Sequence, residues 1–184
     1  MAHTQERITE AALTLISERG LSDVTMIDIA RTAGIARQTL YNHYPDIGSI
    51  VADALNRHGQ DSLDRLRSAL AVVETATDKI TQLVRHIAQI STYHGHTIDL
   101  DHSLAPHHRA SLTRFVTDID EIIATIVTQG QTDGTFRNDL DPTIDTTLIR
   151  QMLTGISNLV DATPGDAATI AATGTRTILS ALST

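Results

Sequence analysis

Polar side chains that can recognise DNA bases lie close together in the first quarter of the chain. Arg37 can donate two hydrogen bonds to O6 and N7 of guanine, and the amide of Gln38 can pair with adenine. Thr39 and Asn42 are short polar residues that can reach a base edge or a phosphate oxygen. A short helix here would bury Leu40 and turn the other four side chains outward. The spacing therefore predicts a surface that reads double-stranded DNA.

A second short helix and a tight turn are predicted just before this segment. Thr25 is placed as the N-cap of that helix, with Asp28 three residues later as in a capping box. The hydroxyl or N–H group of Thr25 can also bind a phosphate. Gly34 stands where a left-handed residue ends a helix. Together these parts predict a DNA-binding helix-turn-helix.

The helix-turn-helix segment carries many residue types at fixed offsets from one another. They are Thr25, Ile29, Ala30, Ala33, Gly34, Ile35, Thr39, Leu40, Tyr41, His43, Tyr44 and Pro45. In these residues the segment resembles the TetR family of bacterial one-component regulators, and the resemblance covers residues 5–56. It implies that Tyr41 and His43 contact DNA phosphates. The alternatives are packing of Tyr41 against the preceding helix and a solvated surface position for His43.

Two positions depart from the pattern of that family. The family usually has Ser or Thr immediately before the recognition helix, where this chain has Ala36. We expect this change to remove an N-cap that is worth about 0.5–2 kcal/mol. The family often has Lys where this chain has Ile47, so one phosphate contact should be missing.

Six of the nine histidines fall between residues 86 and 108, with Asp99 and Asp101 among them. Such groups can bind Zn, Ni or Fe, but no motif with fixed ligand spacing occurs. The other interpretations are a pocket that orients an organic ligand and a solvated polar loop. We predict a small-molecule effector here, without a metal or cofactor. The predicted ligand-binding residues are His86, Ile90, Tyr93, His102, Phe115, Ile119, Met152 and Ile156.

The family resemblance implies a dimer formed by the last two helices. The final helix, predicted over residues 166–182, carries small and branched residues along one face. Small residues allow two helices to approach closely, although an ordinary buried helix has the same pattern. The predicted dimerisation residues are Ile170, Gly174, Ile178 and Ala181.

The pattern of apolar and polar residues along the sequence points to an all-α protein. The chain has 184 residues, no cysteine and a net charge of −8, and no stretch alternates apolar and polar residues over a strand's length. No run approaches the roughly 18 apolar residues of a membrane span, so we expect a cytoplasmic protein without a membrane partner. About nine helices are predicted. A helix-turn-helix DNA-binding domain is expected over 1–46 and a helical ligand-binding and dimerisation domain over 47–184.

These features predict a ligand-responsive transcriptional regulator. We expect a repressor that binds a palindromic DNA operator as a homodimer and is released by a small molecule. Residues 1–46 contain four arginines and six acidic residues, which disfavours binding by charge alone. The alternative is a helical dimeric protein whose N-terminal unit mediates protein contacts without specific DNA binding. No G-x-S-x-G, P-loop, dinucleotide or H-E-x-x-H motif occurs, so no enzyme is expected.

Overall fold

The computed structural model describes residues 2–91 and 110–183. Within those two ranges there are helices and turns but no strand, which confirms the predicted all-α fold. These ranges contain eight α-helices and two short 3-10 helices. In chain order the elements are α1 (Ala2–Arg19), the 3-10 helix Leu21–Asp23, α2 (Met26–Thr32), α3 (Arg37–His43), α4 (Ile47–Ala71), α5 (Ala76–Ser91), α6 (Ala110–Thr132), α7 (Ile144–Ala162), the 3-10 helix Pro164–Asp166 and α8 (Ala167–Leu182).

Local sequence explains the ends of the first two helices. Gly20 ends α1 with a φ of 81°, and Gly34 ends α2 with a φ of 63°. Both values lie in the left-handed region, which glycine adopts without strain. Thr25 caps α2, because its Oγ1 accepts the N–H of Asp28 at 3.2 Å and its own N–H donates to the Asp28 carboxylate at 3.2 Å. The predicted capping box is therefore confirmed.

The two helices of the helix-turn-helix, α2 and α3, are too short to be stable alone, so packing must hold them. Each has seven residues, whereas isolated helices shorter than about 12–15 residues are marginal in water. Their buried residues join a core that α1 and the start of α4 complete. Each large aliphatic side chain buried there stabilises the fold by about 1.5–3 kcal/mol. The fully buried members are Ile8, Ala12, Ile29, Leu40, Ile50 and Val51.

Polar side chains accept backbone N–H groups at the start of two later helices. α5 begins at Ala76, and Oγ1 of the preceding Thr75 accepts the N–H of Asp78 at 3.0 Å. α7 begins at Ile144, and Asp141 Oδ1 accepts the N–H of Ile144 at 2.8 Å across an intervening turn.

The described chain forms two compact units. The first contains residues 2–60 and 110–115, and the second contains residues 61–91 and 116–183. The division falls within α4, whereas the predicted domain boundary at residue 46 lies just before that helix begins. In the second unit α5, α7 and α8 pack against one another.

None of the helices in the described ranges has the length and apolar character needed to cross a membrane.

Two of the residues predicted to form a dimer face the interior of their own chain. Ile178 has no exposed surface, and a Cβ atom added at Gly174 would lie 2.3 Å from Ile156 Cδ1. Gly174 therefore lets α8 approach α7 within one chain. Ile178 is buried and offers no surface to a partner, whereas Gly174 is partly exposed and its contact with a partner stays a prediction. Small residues occur in the same pattern where two helices of one chain approach closely and where helices of two chains do. Ile170 is partly exposed and Ala181 is exposed, so their role in a dimer stays a prediction.

Candidate DNA-binding interface and effector region

The turn between α2 and α3 is held by an arginine from α1. The Arg7 guanidinium donates to the carbonyl oxygens of Ala33 and Gly34 at the end of α2. Carbonyl groups at a helix C-terminus carry partial negative charge, which favours a cation there. The N–H of Ile35 closes the same helix end by donating to the Ala30 carbonyl at 3.0 Å. Sequence reasoning missed Arg7, because 26 residues separate it from Ala33 and no local pattern marks the contact.

The polar groups of Thr25 are already engaged at the start of α2. Its hydroxyl and its N–H both donate to the Asp28 carboxylate, and Arg31 Nη2 lies 2.7 Å from Asp28 Oδ1. The hydrogen bond from the Thr25 side chain holds the pKa of Asp28 below its usual value. A phosphate bound here would compete with that carboxylate for the Thr25 donors. The contact between Thr25 and a phosphate therefore stays a prediction.

The recognition helix α3 presents its polar residues to solvent, as the sequence predicts. Arg37, Gln38 and Asn42 are exposed, Thr39 is partly exposed, and Leu40 is fully buried. Burial of Leu40 fixes the rotation of α3 about its own axis. The structure thus brings the base-reading candidates together on the accessible part of one helix.

Two contacts between residues one turn apart order these side chains. The guanidinium carbon of Arg37 lies 5.4 Å from the centroid of the Tyr41 ring, within the range of a cation–π interaction. Gln38 Nε2 donates a hydrogen bond to Asn42 Oδ1 at 3.1 Å. Both pairs have the i, i+4 spacing at which side chains meet on a helix surface.

Tyr41 and His43, which the family resemblance assigns to phosphates, both retain accessible surface. Tyr41 is 41% exposed, so it is not buried against the preceding helix. His43 is partly exposed, and its ring centroid lies 6.4 Å from that of Tyr44. Accessibility allows a phosphate contact at both residues without demonstrating one, so both contacts stay predictions.

A chain of hydrogen bonds ties the end of α3 to α4 and α1. The buried Tyr44 donates its hydroxyl to the Asp53 carboxylate, which also accepts Arg57 Nε at 3.1 Å. Arg57 in turn donates to Gln5 Oε1 at 3.3 Å. Burial and the bond to Asp53 raise the pKa of Tyr44, which keeps it a hydrogen-bond donor. The network positions α3, and sequence reasoning missed it because it joins three separate helices.

The predicted effector residues are divided between the two units and the undescribed part of the chain. Phe115 lies in the first unit, where its Cδ2 would be 3.1 Å from a Cβ atom at Gly59. Tyr93 and His102 lie outside the described residues. The remaining candidates belong to the second unit and are His86, Ile90, Ile119, Met152 and Ile156. Ile119 and Ile156 are buried, and the other three are partly exposed.

His86 is held within the second unit by a serine of α4. His86 Nε2 lies 2.8 Å from Oγ of the buried Ser62. Burial, helped by the charge of Arg65, lowers the pKa of His86, so its ring is neutral at pH 7. A neutral histidine bonded to a serine is also an ordinary way to satisfy buried polar groups. Within residues 2–91 and 110–183 no group of three His, Cys or carboxylate residues is placed to hold a metal ion.

α7 carries apolar residues on two sides. Its inner residues, at positions 149, 153, 156 and 160, are buried. On the outer side Ile144, Leu148 and Leu159 have exposed fractions of 60%, 55% and 58%. Large apolar residues that share an exposed helix face are typical of an interface. This outer face of α7 is therefore the strongest dimerisation candidate in the described chain.

Two family models match the chain. The model described as "Bacterial regulatory proteins, tetR family" matches residues 8–54, which include the helix-turn-helix. The model described as "Tetracyclin repressor-like, C-terminal domain" matches residues 73–158. Because the two matches together cover most of the chain, the protein belongs to the TetR family of bacterial regulatory proteins. The family predicted from the sequence is confirmed.

Individual proteins match over different lengths. An uncharacterised HTH-type transcriptional regulator of Mycobacterium tuberculosis is 42% identical over 62 residues, which are 34% of this chain and 33% of that protein. The match therefore spans about a third of that relative. The HTH-type transcriptional repressor KstR2 of Rhodococcus jostii is 28% identical over 139 residues, or 73% of this chain and 68% of the relative.

Solved structures share the fold over the whole chain. A protein from Saccharomonospora viridis, described as a transcriptional regulator and solved in complex with choline, superposes with a TM-score of 0.86. The superposition covers 100% of both chains at 22% sequence identity. At that identity the likeness shows the common fold and does not identify a ligand for this chain.

Proposed function

We propose that the protein is a ligand-responsive transcriptional repressor that binds a palindromic DNA operator as a homodimer. The observation that carries the proposal is the accessible surface of α3, where Arg37, Gln38 and Asn42 stand beside the buried Leu40. The hydrogen-bonding groups of these side chains match those of guanine and adenine in the major groove. The protein acts in the cytoplasm, where it meets the chromosome, and no catalytic activity is proposed.

Base contacts, rather than net positive charge, supply most of the DNA affinity in this proposal. Arg31 is paired with Asp28, and Arg7 donates to the carbonyl groups that end α2. Each missing phosphate contact weakens non-specific binding and reduces the dependence of affinity on salt. We therefore propose weak binding to random DNA and a shallow salt dependence.

A homodimer presents two recognition helices to the two halves of the operator. Helix-turn-helix dimers place these helices about 34–36 Å apart, or a multiple of that distance, to match the turns of DNA. The outer face of α7, formed by Ile144, Leu148 and Leu159, supplies the apolar surface for association. Ile170 and Ala181 of α8 retain exposed surface that can extend it.

The effector binds among the C-terminal helices in this proposal. His86 is a half-buried polar group there, next to Ser62 on α4, and binding sites place a few polar groups in apolar walls. A ligand that binds one dimer geometry better than the other shifts the population toward it. Release follows when the favoured geometry no longer matches two major grooves.

The alternative function, protein contact by the N-terminal unit, is tested by selection from a randomised DNA pool. Duplexes retained by the purified protein are sequenced and then used in a mobility-shift assay with unlabelled random DNA as competitor. The proposal predicts enrichment of one palindromic sequence, whose complex resists the competitor. Failure to enrich any sequence would favour the protein-contact alternative.

A further inference from the structure

We propose that Tyr41 and Asn42 are positioning residues that order Arg37 and Gln38 before DNA binds, so that each half-site contains a guanine close to an adenine. This inference rests on the proposed function and names part of the sequence that α3 reads. It also gives the Tyr41 ring a role separate from the phosphate contact expected of its hydroxyl.

The first pair orders an arginine that would otherwise be free to move. Arg37 is the first residue of α3 and is exposed, and its guanidinium carbon lies 5.4 Å from the centroid of the Tyr41 ring. A cation–π contact uses the face of the guanidinium group, so it leaves the N–H donors at the edge available. Two of those donors match O6 and N7 of guanine. Holding the side chain in advance reduces the entropy lost when DNA binds.

The second pair, Gln38 and Asn42, favours adenine because the Gln38 amide keeps one acceptor and one donor free for a base. The bond from Gln38 Nε2 to Asn42 Oδ1, at 3.1 Å, occupies one N–H of Gln38. Gln38 Oε1 and its second N–H remain as an acceptor beside a donor. Adenine presents the complementary donor N6 and acceptor N7, whereas guanine presents two acceptors. At guanine the Gln38 oxygen would face O6 without a hydrogen between them.

The placement of both pairs on α3 keeps the two bases close together. Arg37 and Gln38 are consecutive residues, and their partners Tyr41 and Asn42 are consecutive one turn later. Because the buried Leu40 fixes the rotation of α3, both pairs are presented together. We infer a guanine and an adenine within a few base pairs of each other in each half-site.

The test of the first pair uses a duplex selected by the wild-type protein and copies in which single purines are replaced by their 7-deaza analogues. These analogues lack the N7 acceptor. Fluorescence anisotropy should show that 7-deazaguanine at one position weakens wild-type binding about 5-fold or more. Tyr41→Leu, which removes the ring, should reduce that sensitivity by about 2- to 5-fold. Tyr41→Phe is the matched control, because it keeps the ring and should keep the sensitivity.

A double-mutant cycle tests the second pair. Gln38→Ala and Asn42→Ala should each reduce the preference for adenine over guanine at one position of the selected duplex. If the two residues act on that base through their mutual bond, the double variant should lose little more than the larger single loss. All substituted positions are exposed, and circular dichroism checks that the variants remain folded.

The outcomes separate this inference from the proposed function. Unchanged sensitivity to 7-deazaguanine in Tyr41→Leu, or simple addition of the Gln38 and Asn42 losses, overturns the inference even if the wild-type protein selects a sequence. A wild-type protein that selects no sequence overturns the proposed function itself. Selection of half-sites without a guanine close to an adenine also overturns the inference.

Discussion

The recognition helix α3 begins without a side-chain cap, so a substitution that supplies one should strengthen it. Ala36 occupies the N-cap position with φ −67° and ψ 144°, the extended conformation that N-cap residues adopt. A hydroxyl introduced by Ala36→Ser can accept the N–H of Thr39, the third helical residue. The same bond exists in α2, where Thr25 Oγ1 accepts the N–H of Asp28 at 3.2 Å.

The expected gain in the free energy of unfolding is about 1 kcal/mol, because Ser-to-Ala changes at N-caps cost about 0.5–2 kcal/mol. In a protein of this size that gain raises the melting temperature by about 2–4 °C. Ala36→Val is the matched control, since it adds a side chain without an acceptor. Thermal unfolding gives the global effect, and hydrogen exchange of the Thr39 amide gives the local effect.

Ala36→Ser should slow exchange at Thr39 and raise the melting temperature relative to Ala36→Val. Equal exchange rates and melting temperatures in the two variants would contradict this expectation, because they would mean that the N-terminus of α3 gains nothing from an added acceptor. A cap present in the free protein also lowers the cost of ordering α3 on DNA. Ala36→Ser should therefore bind the selected duplex at least as tightly as the wild-type protein.

Three further changes test assembly, packing and response to pH. Combining Leu148→Glu with Leu159→Glu should convert the proposed dimer to a folded monomer in light scattering, since both side chains are more than half exposed in one chain. Gly174→Ala should destabilise the protein to urea by about 1–3 kcal/mol, because its Cβ would lie 2.3 Å from Ile156 Cδ1. Lowering the pH through about 6.5 should reduce stability, because the lowered pKa of His86 means that the unfolded chain takes up this proton more readily. His86→Gln should remove the part of this stability loss that comes from protonation of His86, as measured by urea titrations at several pH values.

Each of these expectations can fail separately. A dimer that survives both glutamates has its interface outside the outer face of α7. Unaltered urea stability in Gly174→Ala would show that α8 does not need the close approach to α7. If the acid-dependent loss of stability is the same in His86→Gln, other groups are responsible for it.

The helix-turn-helix could be predicted from the sequence because its determinants are local. The Thr25 cap is three residues from its partner, and Gly34 needs only its own backbone angle to end α2. The alternation of the buried Leu40 with exposed polar neighbours reports which side of α3 faces the core. Such local features can be recognised in the sequence without knowing which distant residues are in contact.

Contacts between distant segments could not be predicted in the same way. Nothing near Arg7 in the sequence indicates that it holds the carbonyl groups at the end of α2. The small residue Gly174 indicates a close helix approach, but the sequence does not distinguish a helix of the same chain from one of a partner. Only the position of Ile156 against it shows an intramolecular contact. The exposure of the outer face of α7 could not be predicted for a related reason. Apolar residues lie on both sides of this helix, so the sequence does not show which side faces the core.

Whether α3 reads base sequence is decided by the ratio of two dissociation constants, one for the selected duplex and one for a random duplex. Fluorescence anisotropy at one fixed salt concentration gives the affinity for the selected duplex and for a random duplex, with wild-type protein and with Arg37→Ala. We expect Arg37→Ala to lower the affinity for the selected duplex by about 5- to 150-fold and to leave the affinity for the random duplex nearly unchanged. Equal losses on the two duplexes would contradict it, because Arg37 would then contact the DNA backbone without reading a base.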